Sequence, residues 1–121
     1  MPYSPRSTRS QAFPTTTSNE QPTMLIRIVK MTFEPQHVAT FQGHFEGWKA
    51  KIRASSGCRH LELWQDVDDQ RVFFTYSHWN HPQDLENYRT SDVFAAVWPV
   101  VKPLFAAPAQ AWSVHRMHQL P

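Results

Sequence analysis

Between residues 25 and 33 the apolar side chains Leu25, Ile26, Ile28, Val29, Met31 and Phe33 fall on both alternating sets. That pattern predicts a strand whose two faces both need cover. After Pro35 the period changes. Val38, Phe41, Phe45, Trp48 and Ile52 recur at alternating spacings of three and four, with Glu34 in the first turn, which predicts an amphipathic helix. The helix should end near Ser55-Ser56-Gly57, where Gly57 suits a left-handed cap.

Residues 60–65 and 71–79 read as an antiparallel hairpin around a polar turn at 67–70, closed by Asn80-His81-Pro82. Residues 84–89 predict a short helix. Ser91 then caps a second one, with Phe94, Val97, Trp98 and Val101 on one side and Pro99 and Pro103 expected to kink or divide it. A last strand is predicted over 111–117, where Trp112, Val114 and Arg116 alternate with Ala111, Ser113, His115 and Met117. The order strand, helix, strand, strand, helix, strand is the split βαβ pattern of an α+β, ferredoxin-like sandwich with an antiparallel four-stranded sheet. Its helices cover one sheet face only. Because the first and third strands carry large apolar groups on both faces, a second copy packed face to face is the expected cover, giving a homodimer.

Composition narrows the partners. Residues 1–23 carry Pro2, Pro5, Pro14 and Pro22 among Ser, Thr and Gln, with only Tyr3 and Phe13 as large apolar groups. A disordered N-terminal tail is expected there, a single domain over 24–121, and Met24 is an alternative start of translation. Twelve Lys and Arg against ten Asp and Glu give a net charge of +2, scattered rather than gathered, which argues against nucleic acid. The apolar stretch at 93–101 is broken by Trp98-Pro99 and is shorter than the roughly 20 residues of a membrane span, so no membrane partner is expected. A lone Cys58 forms no internal disulfide and no multi-cysteine metal site. With a polar N-terminal segment and no secretory signal, the expected compartment is cytoplasmic.

Two stretches look familiar. Ser56-Gly57-Cys58-Arg59-His60-Leu61-Glu62-Leu63-Trp64-Gln65-Asp66, with Tyr76-Ser77-His78-Trp79-Asn80 after the turn, resembles the central hairpin of the antibiotic biosynthesis monooxygenase (ABM) family. Leu85-Glu86-Asn87-Tyr88-Arg89-Thr90-Ser91-Asp92-Val93-Phe94 is similar to that family's helix signature, a ring three positions before a Ser and a Phe three after it. The resemblance implies a dimeric α/β barrel. It also implies a range of activities: cofactor-independent oxygenases of polycyclic phenols, quinol monooxygenases, haem-degrading enzymes and proteins without assigned activity. The haem-degrading branch carries an Asn at the position of Lys30, a Trp at Tyr88 and its iron-binding His at Trp98. An indole nitrogen only donates, so the resemblance does not extend to haem.

Oxygenation without metal or flavin needs an electron-rich phenol or quinol in a dry aromatic cavity, a base, and donors to the forming oxyanion. Trp48, Trp64, Trp79, Trp98, Phe45, Phe73 and Tyr88 are candidate walls, and each could equally be plain core. His60 and His78, nearly opposite across the hairpin, are candidate bases, with Tyr88 as a candidate donor; the alternative for the histidines is a polar rim or an interface. Lys30 could hold a phenolate or simply extend into solvent. His78-x-x-His81 and His115-x-x-His118 lack a matching acidic or cysteine ligand, and no metal or other cofactor is expected. The sequence thus predicts an oxygenase of a small aromatic or quinol-type molecule. The rival is a non-catalytic dimeric domain that binds a hydrophobic ligand or serves a stress-related role.

Overall fold

The two-faced apolar strand lies inside the sheet. In a computed structural model, which describes residues 24–121, β1 (Leu25–Phe33) pairs antiparallel with both β3 (Val72–Trp79) and β4 (Phe105–Val114), and β2 (Cys58–Gln65) pairs with β3. The strand order is β2-β3-β1-β4. Helices α1 (Val38–Arg53), α2 (Pro82–Arg89) and α3 (Asp92–Val101) join the strands, so the chain has the ferredoxin-like α+β architecture. The expected tail of residues 1–23 lies outside the described residues.

Local chemistry sets the helix ends. A short 3-10 turn, Pro35–His37, leads into α1, whose Phe41, Phe45 and Ile52 are buried against the sheet. Gly57 follows the helix with φ of 83°, a left-handed conformation that β-carbons disfavour. Ser91 Oγ accepts from Phe94 N–H at 3.2 Å and caps α3. Pro99 does not divide α3. The carbonyl it deprives of a partner belongs to Ala95, which is exposed and can bond water, and Pro103 ends the segment in a 3-10 turn, Lys102–Leu104.

The last strand corrects the expectation. It spans Phe105–Val114 rather than 111–117, because the Ala-rich stretch 106–109 carries no strand signal of its own yet is held in the strand by the pairs Phe33↔Phe105, Thr32↔Ala107 and Lys30↔Gln110. Between the pairs Lys30↔Gln110 and Thr32↔Ala107 the β4 side holds one residue more than β1, and Pro108 sits in that interval. An edge strand with a bulge is where a residue lacking an N–H is tolerated.

One face of the sheet carries the core. Phe33 stacks on Phe41 with centroids 4.3 Å apart, and Phe73 meets both edge-on. The other face, with Ile28, Phe74 and Tyr76 in its middle strands, has no helix over it among the described residues. Trp64 remains 39% exposed there and Trp112 44%. Among the described residues no helix is long and apolar enough to cross a membrane.

Candidate functional site

Strand alternation sends Arg27, Val29 and Met31 to the helix side of β1, beside Thr75, Ser77 and Trp79 of β3. On β4 the same side offers Ala109 and Ala111. Methyl groups cannot fill the space beneath the helices, and a cavity of about 330 Å³ remains. Opposite this floor stand Phe45 and Trp48 of α1, Tyr88 and Arg89 of α2, and Phe94 and Trp98 of α3. Arg89 and Ala111 are solvent-exposed, so the cavity opens along the β4 edge.

Ring contacts hold the helical wall. Phe94 and Trp98 lie almost parallel, 5.7 Å apart at 12°, and Trp98 meets Phe105 edge-on. Tyr88 stacks on Trp79 at 5.2 Å and packs against the edge of Phe94 at 5.3 Å. The backbone that presents Tyr88 is itself tied down, since Ser91 Oγ–H donates to Tyr88 O at 2.6 Å. Trp79 Nε1 donates to Ser77 Oγ at 3.0 Å, which gives the buried Ser77 hydroxyl in the floor a partner.

Electrostatics give the cavity a positive end. Burial, and secondarily Cys58, pushes the Tyr88 phenol up to about 12, so its hydroxyl is a proton donor rather than a base near neutral pH. Burial, then the charge of Arg89, lowers the Arg27 guanidinium. Arg27 Nη1 donates to Ser113 Oγ at 3.0 Å, while Arg89 donates to Glu86 at 3.2 Å. Sequence reasoning passed over both arginines. The signal was present in β1, where Arg27 occupies the same alternating set as Val29 and Met31.

Of the expected site residues, Trp48, Trp79, Trp98 and Tyr88 meet at this cavity. His60, His78, Lys30 and Trp64 do not reach it. They lie on the opposite sheet face, because their alternation is out of phase with the cavity floor: Lys30 pairs with Phe74, His60 with His78, and Trp64 with Phe74. The sheet itself stands between those imidazoles and the cavity. Phe73 is core rather than wall, 2% exposed behind Phe33 and Phe41.

That second face has its own cluster. The His60 and His78 rings are 4.9 Å apart, Tyr76 contacts both, and Trp64 stacks on Tyr76 at 4.6 Å. His60 Nε2 bonds Glu62 Oε2, and Trp64 Nε1 donates to the other Glu62 oxygen at 2.7 Å. These contacts hold the Glu62 carboxyl below its ordinary range, His60 first and Trp64 second. His78 Nε2 is buried without a hydrogen-bond partner among the described residues, and burial, then His60 and Arg116, lowers its basicity. Among the described residues no group of three or more His, Cys, Asp or Glu side chains is arranged to hold a metal ion.

The family profile described as antibiotic biosynthesis monooxygenase matches residues 24–98. A search of curated proteins finds no match. Among solved structures, a Nitrosomonas europaea protein assigned to the same monooxygenase class superposes with a TM-score of 0.75 at 15% identity, over 81% of this chain and 94% of that one. A Pseudomonas aeruginosa protein gives 0.71 at 23% identity, over 79% and 96%. SnoaB from Streptomyces nogalater, a cofactor-independent oxygenase solved in a mutant form, gives 0.73 at 13% identity, over 82% and 98%. At these identities the structures establish a shared fold.

Proposed function

The chain belongs to the antibiotic biosynthesis monooxygenase family, and on that premise we propose that it oxygenates a small aromatic or quinol-type substrate without a resident metal or flavin. The observation that carries this reading is the cavity: an aromatic-walled space with Tyr88, its phenol undissociated, among the lining residues. An electron-rich ring would lie between the Trp98 and Trp79 sides. Dispersion and stacking favour such a ligand, and exclusion of water strengthens each polar contact made to it.

The reaction class balances without a further reductant. A phenol ionises, its ring carbon bonds to dioxygen, a hydroperoxide forms, and loss of water leaves a quinone; phenol plus O₂ gives quinone plus H₂O. Both atoms of dioxygen are reduced by the substrate. Tyr88 is suited to donate a hydrogen bond to the oxygen that gathers negative charge. Among the described residues no imidazole lies on the cavity wall, which favours substrates acidic enough to ionise without a dedicated base. That same observation supports the second reading, a non-catalytic domain that binds a hydrophobic ligand.

The uncovered sheet face supports self-association, with Trp64, Trp112 and Val114 of one copy covered by the same face of another. Oxygen uptake by the purified protein against hydroquinones, naphthols and anthrones separates the two readings. Uptake with one ¹⁸O atom in the product supports the oxygenase. Ligand binding without uptake across the panel supports the binding domain and ends the first reading.

A further inference from the structure

Arg27 stands where a strand packed under helices would ordinarily carry an aliphatic side chain. Its neighbours in the helix-facing set are Leu25, Val29, Met31 and Phe33, and it is half-buried at the cavity end. A guanidinium has five N–H donors, and removing it from water is unfavourable unless they are met. Among the described residues it makes one hydrogen bond, to the neutral Ser113 hydroxyl. Among the described residues no carboxylate comes within ion-pairing distance of it, and Glu86, the acidic group that acts on it through space, is engaged by Arg89 instead. Arg89 lies on the same cavity wall and adds like charge. Two cations therefore stand beside an apolar cavity, and one of them has no anionic partner among the described residues.

We infer that the ligand of the cavity is an aromatic carboxylate, with Arg27 receiving the carboxylate and Arg89 adding positive potential at the mouth. This rests on reading the cavity as the substrate site, and it specifies the substrate class. The planar fork of Arg matches two carboxylate oxygens. Ser77 is the register partner of Arg27 and Thr75 lines the same floor, so the remaining polar groups lie at that end while the rings of Tyr88, Phe94 and Trp98 form the opposite wall. A neutral ligand would bury Arg27 further and leave its donors unmet. An anionic one offsets the cost of burial and the repulsion from Arg89 together.

The test uses the full chain and three probes of similar ring size at pH 7.5: 2-naphthoate, its methyl ester and 2-naphthol, titrated by calorimetry. The wild type should bind naphthoate about ten-fold or more tighter than the ester. Arg27→Met should bring the ratio to near one with ester affinity and melting temperature retained, and Arg27→Lys should restore part of it. Equal binding of acid and ester by the wild type would overturn the inference, as would a preference that survives in a folded Arg27→Met. Should Arg27→Met not fold, Arg27→Gln and the wild-type ratio decide in its place. Equal binding accompanied by oxygen uptake on naphthols removes the anion site alone. No binding of any probe, with no uptake, removes the inference and the proposed function together.

Discussion

Tyr88 and Trp79 stack with ring centroids 5.2 Å apart and 29° between their planes, joining α2 to the end of β3 at the edge of the cavity. Trp79 is 1% exposed and anchored through Ser77, so it fixes the ring face against which Tyr88 is held. A phenol placed this way keeps its proton.

The Tyr88 phenol, raised from its ordinary value of 10.0 to about 12, links stability to alkaline pH. Between those values the unfolded chain loses the proton while the folded chain keeps it, so this contribution is fully present below pH 10 and disappears as pH rises through about 12. Its size is on the order of 2 kcal/mol. Urea unfolding followed from pH 8 to 12 should show that decline, and Tyr88→Phe should flatten it. In the oxygen-uptake assay Tyr88→Phe should keep ligand binding and lower turnover.

Trp79 and Trp98 should respond differently to truncation. Trp79→Ala removes a fully buried ring and is expected to cost about 3 to 5 kcal/mol. Trp98 is only partly buried and already borders the cavity, so Trp98→Ala should cost less than that while weakening aromatic ligands more. Thermal melts paired with naphthol titrations measure both. Equal destabilisation by the two substitutions would make Trp98 ordinary core.

Association through the open sheet face should weaken in mild acid. His78 is less basic in the folded protein than the ordinary value of 6.5, so its contribution to folding is present above pH 6.5 and is lost as pH falls through its lowered value. Around it stand His60, Arg116 and, with the opposite sign, Glu62, while Tyr76 packs against its ring. Covering the cluster with a second copy would disfavour its charged form further. Sedimentation at pH 7.5 and 5.5 should show a dimer giving way to monomer, and His78→Gln should remove much of the difference. A stable, folded monomer at micromolar concentration and pH 7.5 would sink the self-association reading.

Gly57 allows no β-carbon. At φ of 83° an L-residue is strained, and a Cβ there would lie 2.2 Å from Asp84 Cγ. Gly57→Ala should therefore lose at least 1 to 2 kcal/mol, roughly the cost of the left-handed conformation alone. Gly57→Ala combined with Asp84→Gly should recover the part due to the clash, as read by thermal denaturation.

Strong periodicity made most elements legible. The alternation of three and four from Val38 to Ile52 marks α1, and Ser91 before Phe94 marks the start of α3, because these signals arise from contacts within a few residues. Strand β4 was only half visible. Ala106, Ala107 and Pro108 have no preference for a strand, and the segment becomes one only because Phe105, Ala107 and Gln110 pair with β1, which lies far away in sequence.

The site divided along the same line. The sequence by itself determined that aromatic rings would be abundant near the central hairpin and α2–α3, that both faces of β1 are apolar, and that the chain resembles one family. Which side of the sheet each ring and each imidazole takes was decided by register. A strand repeats every two residues, so shifting by one moves a side chain to the opposite face, and the irregularity between Cys58 and His60 sets the phase of β2. Register therefore sent His60 and His78 away from the cavity and left Arg27 inside it. Ala109 and Ala111 line the same cavity as Trp98 and Tyr88, a meeting of small and large side chains that only the folded chain brings about.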